Sequence, residues 1–392
     1  MHIAYLIPTI DRIGGAERQL IQLATGMAHR GWRVTVIALS GSGSHSAEEL
    51  SANNVSFLSL EMRRGLADPR GWNRLRCWIT SAGPDILHSH LPHASLMARA
   101  IRLIAPVRVL IDTIHSPATG SIARRIGYRL TRGLPNVVTG VSRSALNPWL
   151  DSGMVHHSES TVIPNGVDTH YWKRNAEFRI PSGPHSHENF RWLSVGRFDP
   201  VKDHATLLRA FALLPHHASL AIAGSGPQES ALRRLAQSLH IEDRISFLGF
   251  QADVRRLMQE SDAFVLTSRW EGLPVALMEA SACELPSVFT HTGGACELLP
   301  HASFPPVPIG GFAALGATMQ ALMNLPHPER RKLGLKARQH IAASFDLNST
   351  LTRYEALYCH MLAVNPQALR LRLRSRSGSP LQAPVCSSTP KT

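Results

Sequence analysis

The chain has 392 residues, 44% hydrophobic and 18% charged, with a formal net charge of +13. That length is comfortable for two cores, and that composition excludes a disordered chain. No run of about 18 uncharged apolar residues occurs, so no membrane-spanning helix is expected.

The first strand is read at residues 2–7 as a buried run, within an apolar stretch at 1–10 that is too short for a signal peptide, lacks a basic leader and is ended early by Pro8. Gly14-Gly15 follows, then a helical period over 16–30 stopped by Gly31, then a strand at 34–39. This is one βαβ unit. Further strands fit residues 55–60, 85–88, 109–113 and 137–141, with helical patterns between several of them. Such alternation predicts a mainly parallel sheet covered on both faces. The composition then turns rich in Pro, Ser, His and Gly over 176–190. A linker there, placed at 179–190, separates a first domain at 1–178 from a second at 191–346. Strands restart at 192–195, 219–223, 245–247, 263–266 and 286–289 with a helix between each pair, and helices fit 328–343 and 347–362. The second of these is expected to pack back on the first domain. From Pro366 to Thr392 the chain has no apolar period and reads as a basic, disordered tail. The predicted fold class is therefore α/β, with two Rossmann-like, doubly wound parallel-sheet domains facing across a cleft. Open sheets of this kind bind ligands at the carboxyl ends of their strands.

The excess of positive charge is uneven. Residues 1–180 hold 20 basic against 12 acidic side chains, residues 181–365 hold 16 of each, and residues 366–392 hold 5 basic and no acidic ones. The five cysteines, Cys77, Cys283, Cys296, Cys359 and Cys386, form no CxxC pair and read as reduced thiols of a cytoplasmic protein.

Three segments carry chemistry. In the segment from Ser268 to Ala280, a strand leads through Glu271-Gly272-Leu273 into a helix beginning near Pro274. Proline suits a first helical turn, and the amides of Gly272 and Leu273 at its positive end suit a phosphate. Glu271 and Glu279 are acceptors fit for sugar hydroxyls. Taken alone, the segment could equally be a helix with an acidic amino end and one solvent-facing glutamate. In Gly196-Arg197-Phe198-Asp199-Pro200-Val201-Lys202-Asp203, two cations follow a strand end, where they could offset the charge of a departing diphosphate. An ordinary cationic loop reads the same way. Gly14-Gly15 at the first strand–helix turn lets a ligand approach the backbone, as a plain turn also could.

These residues, taken together and in order, resemble glycosyltransferase family 4, of the GT-B fold. The matching features are Gly14-Gly15-Ala16-Glu17, His88-Ser89-His90, Thr113-Ile114-His115, Val141-Ser142, Pro164-Asn165-Gly166-Val167-Asp168, Gly196-Arg197 with Lys202, Gly224-Ser225-Gly226-Pro227, Phe247-Leu248-Gly249, the pair Glu271 and Glu279, and Thr292-Gly293-Gly294 before Glu297. The resemblance covers roughly residues 1–362. It implies retaining transfer of a sugar from a nucleotide-diphosphate donor, UDP-linked more often than GDP-linked, to a polysaccharide, lipid-linked or other cell-envelope acceptor. It implies His115, Arg197, Lys202 and Glu271 as the catalytic set. Gly14, Gly15, Gly196, Gly224, Gly272, Leu273 and Glu279 would bind the donor, Glu279 at the ribose. Many members have an acidic residue two positions before the late Gly-Gly, where this chain has His291.

No Asp-x-Asp pair occurs, so no metal and no cofactor is expected. A zinc site at His88, His90 and His93 would still need further ligands and support. Arg63, Arg64, Trp72, Arg124 and Arg125 lie in two basic stretches with interleaved aromatics, which predicts a face toward an anionic membrane, and the protein as peripheral on its inner side. Solvated helix faces are the plainer reading. Three other functions share parts of this pattern. A dehydrogenase would want GxGxxG and an acid ending the second strand, where Ser40 stands. A sugar-nucleotide epimerase shares the architecture but needs no acceptor. A nucleic-acid binder is disfavoured by the neutral second half.

Overall fold

A computed structural model describes residues 1–11, 14–43, 46–63, 65–174, 190–300, 302 and 304–365. Arg64, nearly all of the expected linker and the whole basic tail lie outside the described residues.

The first half runs β1 (His2–Ile7), α1 (Gly15–His29), β2 (Arg33–Ala38), α2 (Ser46–Ala52), β3 (Val55–Ser59), α3 (Pro69–Ala82), β4 (Ile86–His90), α4 (Pro92–Ile101), β5 (Val109–Ile114), α5 (Ile122–Leu130), β6 (Val137–Gly140), α6 (Arg143–Asp151) and β7 (Ser160–Val162). The second half runs β8 (Phe190–Val195), α7 (His204–Phe211), β9 (Ala218–Ala223), α8 (Glu229–Ser238), β10 (Ile245–Gly249), α9 (Arg255–Glu260), β11 (Ala263–Leu266), α10 (Val275–Ala282), β12 (Ser287–Phe289), α11 (Gly293–Leu298), α12 (Phe312–Asn324), α13 (His327–Ser344) and α14 (Leu347–Val364).

Two parallel sheets result, in the orders β3-β2-β1-β4-β5-β6-β7 and β10-β9-β8-β11-β12. Alternate residues of β1 explain why the first is covered on both faces. Ile3, Tyr5 and Ile7 join a core with Leu20 and Ala24 of α1 and with Leu351, Tyr354 and Tyr358 of α14. Ala4 and Leu6 point the other way, toward Leu75 and Ile79 of α3 and Met97 and Ile101 of α4. In the second sheet, Trp192, Leu220 and Val265 pack with α7 and α12, while Leu193, Phe264 and Leu266 pack with Leu277 and Met278 of α10 and Ile341 of α13.

Helix α14 belongs spatially to the first half. Gly26 of α1 lies against Leu351, Arg30 pairs with Glu355 at 2.8 Å, and the Tyr5 and Tyr358 hydroxyls meet at 3.2 Å. The chain returns there beside its first crossing. The Val167 amide donates to the Phe345 carbonyl at 2.9 Å, and the Leu347 amide to the Val167 carbonyl at 3.0 Å.

Trp72 departs from the expectation of a membrane-facing aromatic. Its Nε1 donates to the Leu66 carbonyl at 2.8 Å and its ring packs against the core cluster of α3 and α4. Tyr128, in the other basic stretch, is buried against Trp149 and beneath the Arg99 guanidinium.

Candidate active site

Each sheet reverses its strand order beside its first strand, at β1–β4 and at β8–β11. Ligands of open α/β sheets sit at such switch points, and the sequence-predicted residues gather at these two.

In the second half, Lys202 follows β8 and Glu271 follows β11, two neighbouring parallel strands. Their loops are pinned together. The Thr267 hydroxyl donates to the Lys202 carbonyl at 2.9 Å, and the Arg269 amide donates to the Val201 carbonyl at 2.8 Å. Lys202 Nζ then reaches Glu271 Oε1 at 2.5 Å, and the Ser268 hydroxyl donates to the same oxygen at 2.6 Å. Gly196 lies against the Lys202 stem. Gly224, with φ +154°, runs so close to the Gly196 carbonyl that a side chain would overlap it. Arg197 is two-thirds exposed and pairs with Asp199 at 2.7 Å. Helix α10 begins at Val275, one residue beyond Pro274, and the amides of Gly272 and Leu273 donate to no described residue. They remain free for an anion at a helix amino end.

Glu279 is not on a solvent face. It is about nine-tenths buried, and burial pushes its carboxyl up to about 8, with Arg18 of the first half acting in the opposite direction. At neutral pH it is therefore mostly protonated and can donate as well as accept a hydrogen bond.

The first half meets this site directly. Gly15 lies against Val275 at the start of α10, its Cα direction leaving 3.3 Å to the Val275 methyl. The Gly14 amide donates to Glu17 at 3.0 Å, and burial raises the Glu17 carboxyl while the field of Arg197 from across the cleft lowers it. Gly272 is so close to the His115 carbonyl that only glycine fits. The His115 imidazole is pushed down to about 4 by burial, so it is neutral at physiological pH. Its Nε2 lies 2.9 Å from Nδ1 of buried His90. His88 is bonded on both nitrogens, to Thr113 at 2.7 Å and Tyr358 at 2.8 Å. That leaves it no lone pair for zinc, and no metal-binding cluster occurs among the described residues. The structure thus brings Gly14, Gly15, His115, Gly196, Arg197, Lys202, Gly224, Glu271, Gly272, Leu273 and Glu279 to one cleft.

Ser142 and Glu297 also take part, with no role legible in the sequence. Ser142 caps α6 and also donates to the Gly272 carbonyl at 2.5 Å. Glu297 of α11 accepts the amides of Arg143 at 2.8 Å and Ser144 at 2.6 Å. Both lie within motifs already noted, but nothing in their spacing says that they face each other. A hollow of about 450 Å³ lined by Gly41, Ser42, Ser59, Glu61, Met62 and Arg63 opens at the carboxyl ends of β2 and β3.

Residues 13–171 match the family described as Glycosyltransferase Family 4, and residues 176–340 match Glycosyl transferases group 1. The chain belongs to the family 4 glycosyltransferases. Among its relatives, an N-acetyl-alpha-D-glucosaminyl L-malate synthase of Bacillus anthracis is 29% identical over 71% of this chain and 75% of its own length. A UDP-Gal:alpha-D-GlcNAc-diphosphoundecaprenol alpha-1,3-galactosyltransferase of Escherichia coli is 24% identical over 54% of this chain and 58% of its own. The crystal structure of Anabaena HepE with UDP-glucose superposes with a TM-score of 0.79, at 22% identity, over 93% of this glycosyltransferase and all of that chain. At that identity the likeness speaks for the GT-B fold.

Proposed function

We propose that this glycosyltransferase takes its sugar from a UDP-linked donor and delivers it, with retention of anomeric configuration, to a lipid-linked or other cell-envelope acceptor. The observation that carries the reading is the Lys202–Glu271 contact set beside the free amides of Gly272 and Leu273, with Gly14-Gly15 opposite. A diphosphate entering there competes with Glu271 for Lys202. Glu271 is then released to accept a hydrogen bond from the sugar, while Lys202, Arg197 and the amides hold the phosphates. Protonated Glu279 faces the ribose. As the bond from the anomeric carbon to the β-phosphate oxygen breaks, negative charge grows on that oxygen and these cations and dipoles stabilise it. The acceptor oxygen bonds to the anomeric carbon from the same face, and its proton passes to the departing phosphate. His115, being neutral, orients the sugar by hydrogen bonding rather than by giving up a proton. The hollow between Gly41 and Arg63 receives the acceptor. The UDP-glucose bound by HepE and the diphosphoundecaprenol-linked substrate of the Escherichia coli relative support this donor and acceptor class, and the reading requires no metal.

A thermal-shift comparison of UDP-, GDP- and ADP-sugars tests the donor, because a ligand bound only by the native state raises the melting temperature. The expected result is stabilisation by UDP-sugars above the others. Product analysis by NMR then reads the anomer formed from an α-linked donor. A β-linked product would end the retaining assignment.

A further inference from the structure

Helix α5 begins seven residues after His115; Tyr128 is its buried side chain, Gly127 lies against Leu96, and Arg129 donates to the Ser152 carbonyl at 2.9 Å. Its outward face carries Ile122, Ile126 and Leu130, which are 74%, 51% and 82% exposed. A spacing of four residues stacks them on one face. Leu103 and Ile104, also exposed, follow α4, which is tied to the end of α5 by Arg99 to Thr131 and Arg102 to Leu134. Half-buried Arg125 and exposed Arg129 share the helix with this strip and Arg132 follows it; Arg129 and Arg132 also donate to the carbonyls of Ser152 and Gly153, bonds that leave their positive charge unneutralised, and no Asp or Glu occurs from Thr113 to Leu150.

We propose that α5 is the membrane-docking element, its aliphatic strip entering the headgroup–acyl boundary of an anionic bilayer while the arginines pair with lipid phosphates. Such a helix lies in the interface plane and combines apolar burial with electrostatic attraction. Charge decides between occupants. The tail from residue 366 to 392 carries five basic and no acidic residues, so it is repelled by this face. A two-fold dimer through α5 would set arginine against arginine. A bilayer surface satisfies both the charge and the apolar strip. The docking surface is thus aliphatic rather than built on Trp72, and it adjoins the cleft through the loop after His115. Its use in presenting a lipid-linked acceptor rests on the function proposed above, whereas the docking itself does not.

The full chain is to be centrifuged with vesicles of phosphatidylcholine alone and with phosphatidylglycerol added. Binding is expected to the anionic vesicles only and to weaken with salt. The triple variant Ile122→Ser, Ile126→Ser, Leu130→Ser and the double variant Arg125→Glu, Arg129→Glu should each lose tenfold or more of that binding. Their melting temperatures and their stabilisation by UDP-sugar should be unchanged, so a failed donor assignment shows separately as no stabilisation in any form. Equal binding by wild type and triple variant would overturn the proposal. So would absence of wild-type binding, or a wild-type dimer that the triple variant converts to a monomer without any vesicle binding.

Discussion

Glu297→Gln isolates the closing of the cleft from its chemistry. The first amides of α6 have no partner within their own helix. Ser142 satisfies one, at Ala145, and Glu297 of the opposite half satisfies those of Arg143 and Ser144. The carboxylate also meets the positive end of the helix. Glutamine keeps one acceptor oxygen but turns an NH2 group toward the other amide. The loss is one charge-assisted hydrogen bond, about 1.5–3 kcal/mol. When the cleft opens, water serves the same amides, so the loss falls on closure rather than on folding. It corresponds to roughly a 10- to 150-fold drop in the ratio of closed to open molecules. With that ratio near balance in the wild type, as product release requires, kcat/KM should fall by roughly 5- to 75-fold. Small-angle scattering should show a larger radius of gyration, with the melting temperature nearly unchanged. If kcat/KM stays within about twofold of wild type and the scattering curve does not move, Glu297 is not a latch.

Three further outcomes follow from the site. Lys202→Ala and Arg197→Ala should each lower kcat by roughly 10²–10³, as removal of a transition-state charge partner does elsewhere. Near-normal turnover in both would remove them from the mechanism. Gly272→Ala should abolish most activity while sparing the melting temperature, because the new methyl meets the His115 carbonyl and the two halves relieve that clash by parting; equal loss of both would place the contact in the fold instead. Stability should peak near pH 6.5. Below it, the unfolded chain takes up protons that buried His88, His115 and His204, pushed down to about 3, 4 and 4, refuse, so stability falls as pH drops from about 6.5 toward 4. Glu279, raised to about 8, acts with the opposite sign, and its contribution is lost as pH rises from about 4.5 to 8. The histidines outnumber it on the acid side, and it acts without them above pH 6.5. Melting curves of wild type and Glu279→Gln read this directly: the variant should lose the decline between about pH 6.5 and 8.

The two sheets were legible because their strands are short apolar runs separated by helical periods, and a parallel sheet buried on both faces leaves that imprint. The boundaries shifted where side chains are ambiguous. β8 starts at Phe190 inside the expected linker, and β4 extends to His90 because buried hydrogen bonds absorb its two histidines. β7, three residues at a sheet edge with Ser and Thr, gave no apolar signal. In the site, the Lys202–Glu271 region was readable because both residues follow strand ends in recognisable motifs. Glu279 as a buried acid was not, since the sequence shows its spacing but not Arg18 and the cleft wall above it. Nor was the Trp72 orientation, because a tryptophan beside arginines looks the same whether its ring faces lipid or core. Partnerships across the cleft depend on how two separately folded sheets meet, and local pattern carries no record of that.

The polar contacts between the halves tie the candidate site to the way the halves meet. The chain crosses between the halves after Val167 and again near Asp346, and these crossings are bound to each other. Thr169 donates to Asp346 at 2.9 Å, while Arg338 reaches the carbonyls of Trp172 and Thr169. These bonds tie the two crossings into one paired strip. At the cleft, several contacts converge on the loop before α10. The Gly272 carbonyl takes Ser142, Gly272 itself abuts His115, and α11, which supplies Glu297, brings Gly294 against the Gly272 carbonyl. Rotating the halves apart therefore withdraws His115 and displaces the loop bearing Glu271 and the free amides in one movement. If the donor diphosphate sits at those amides as proposed, it holds the same loop whose Gly272 carbonyl Ser142 binds, and by linkage donor binding and closure would then favour each other.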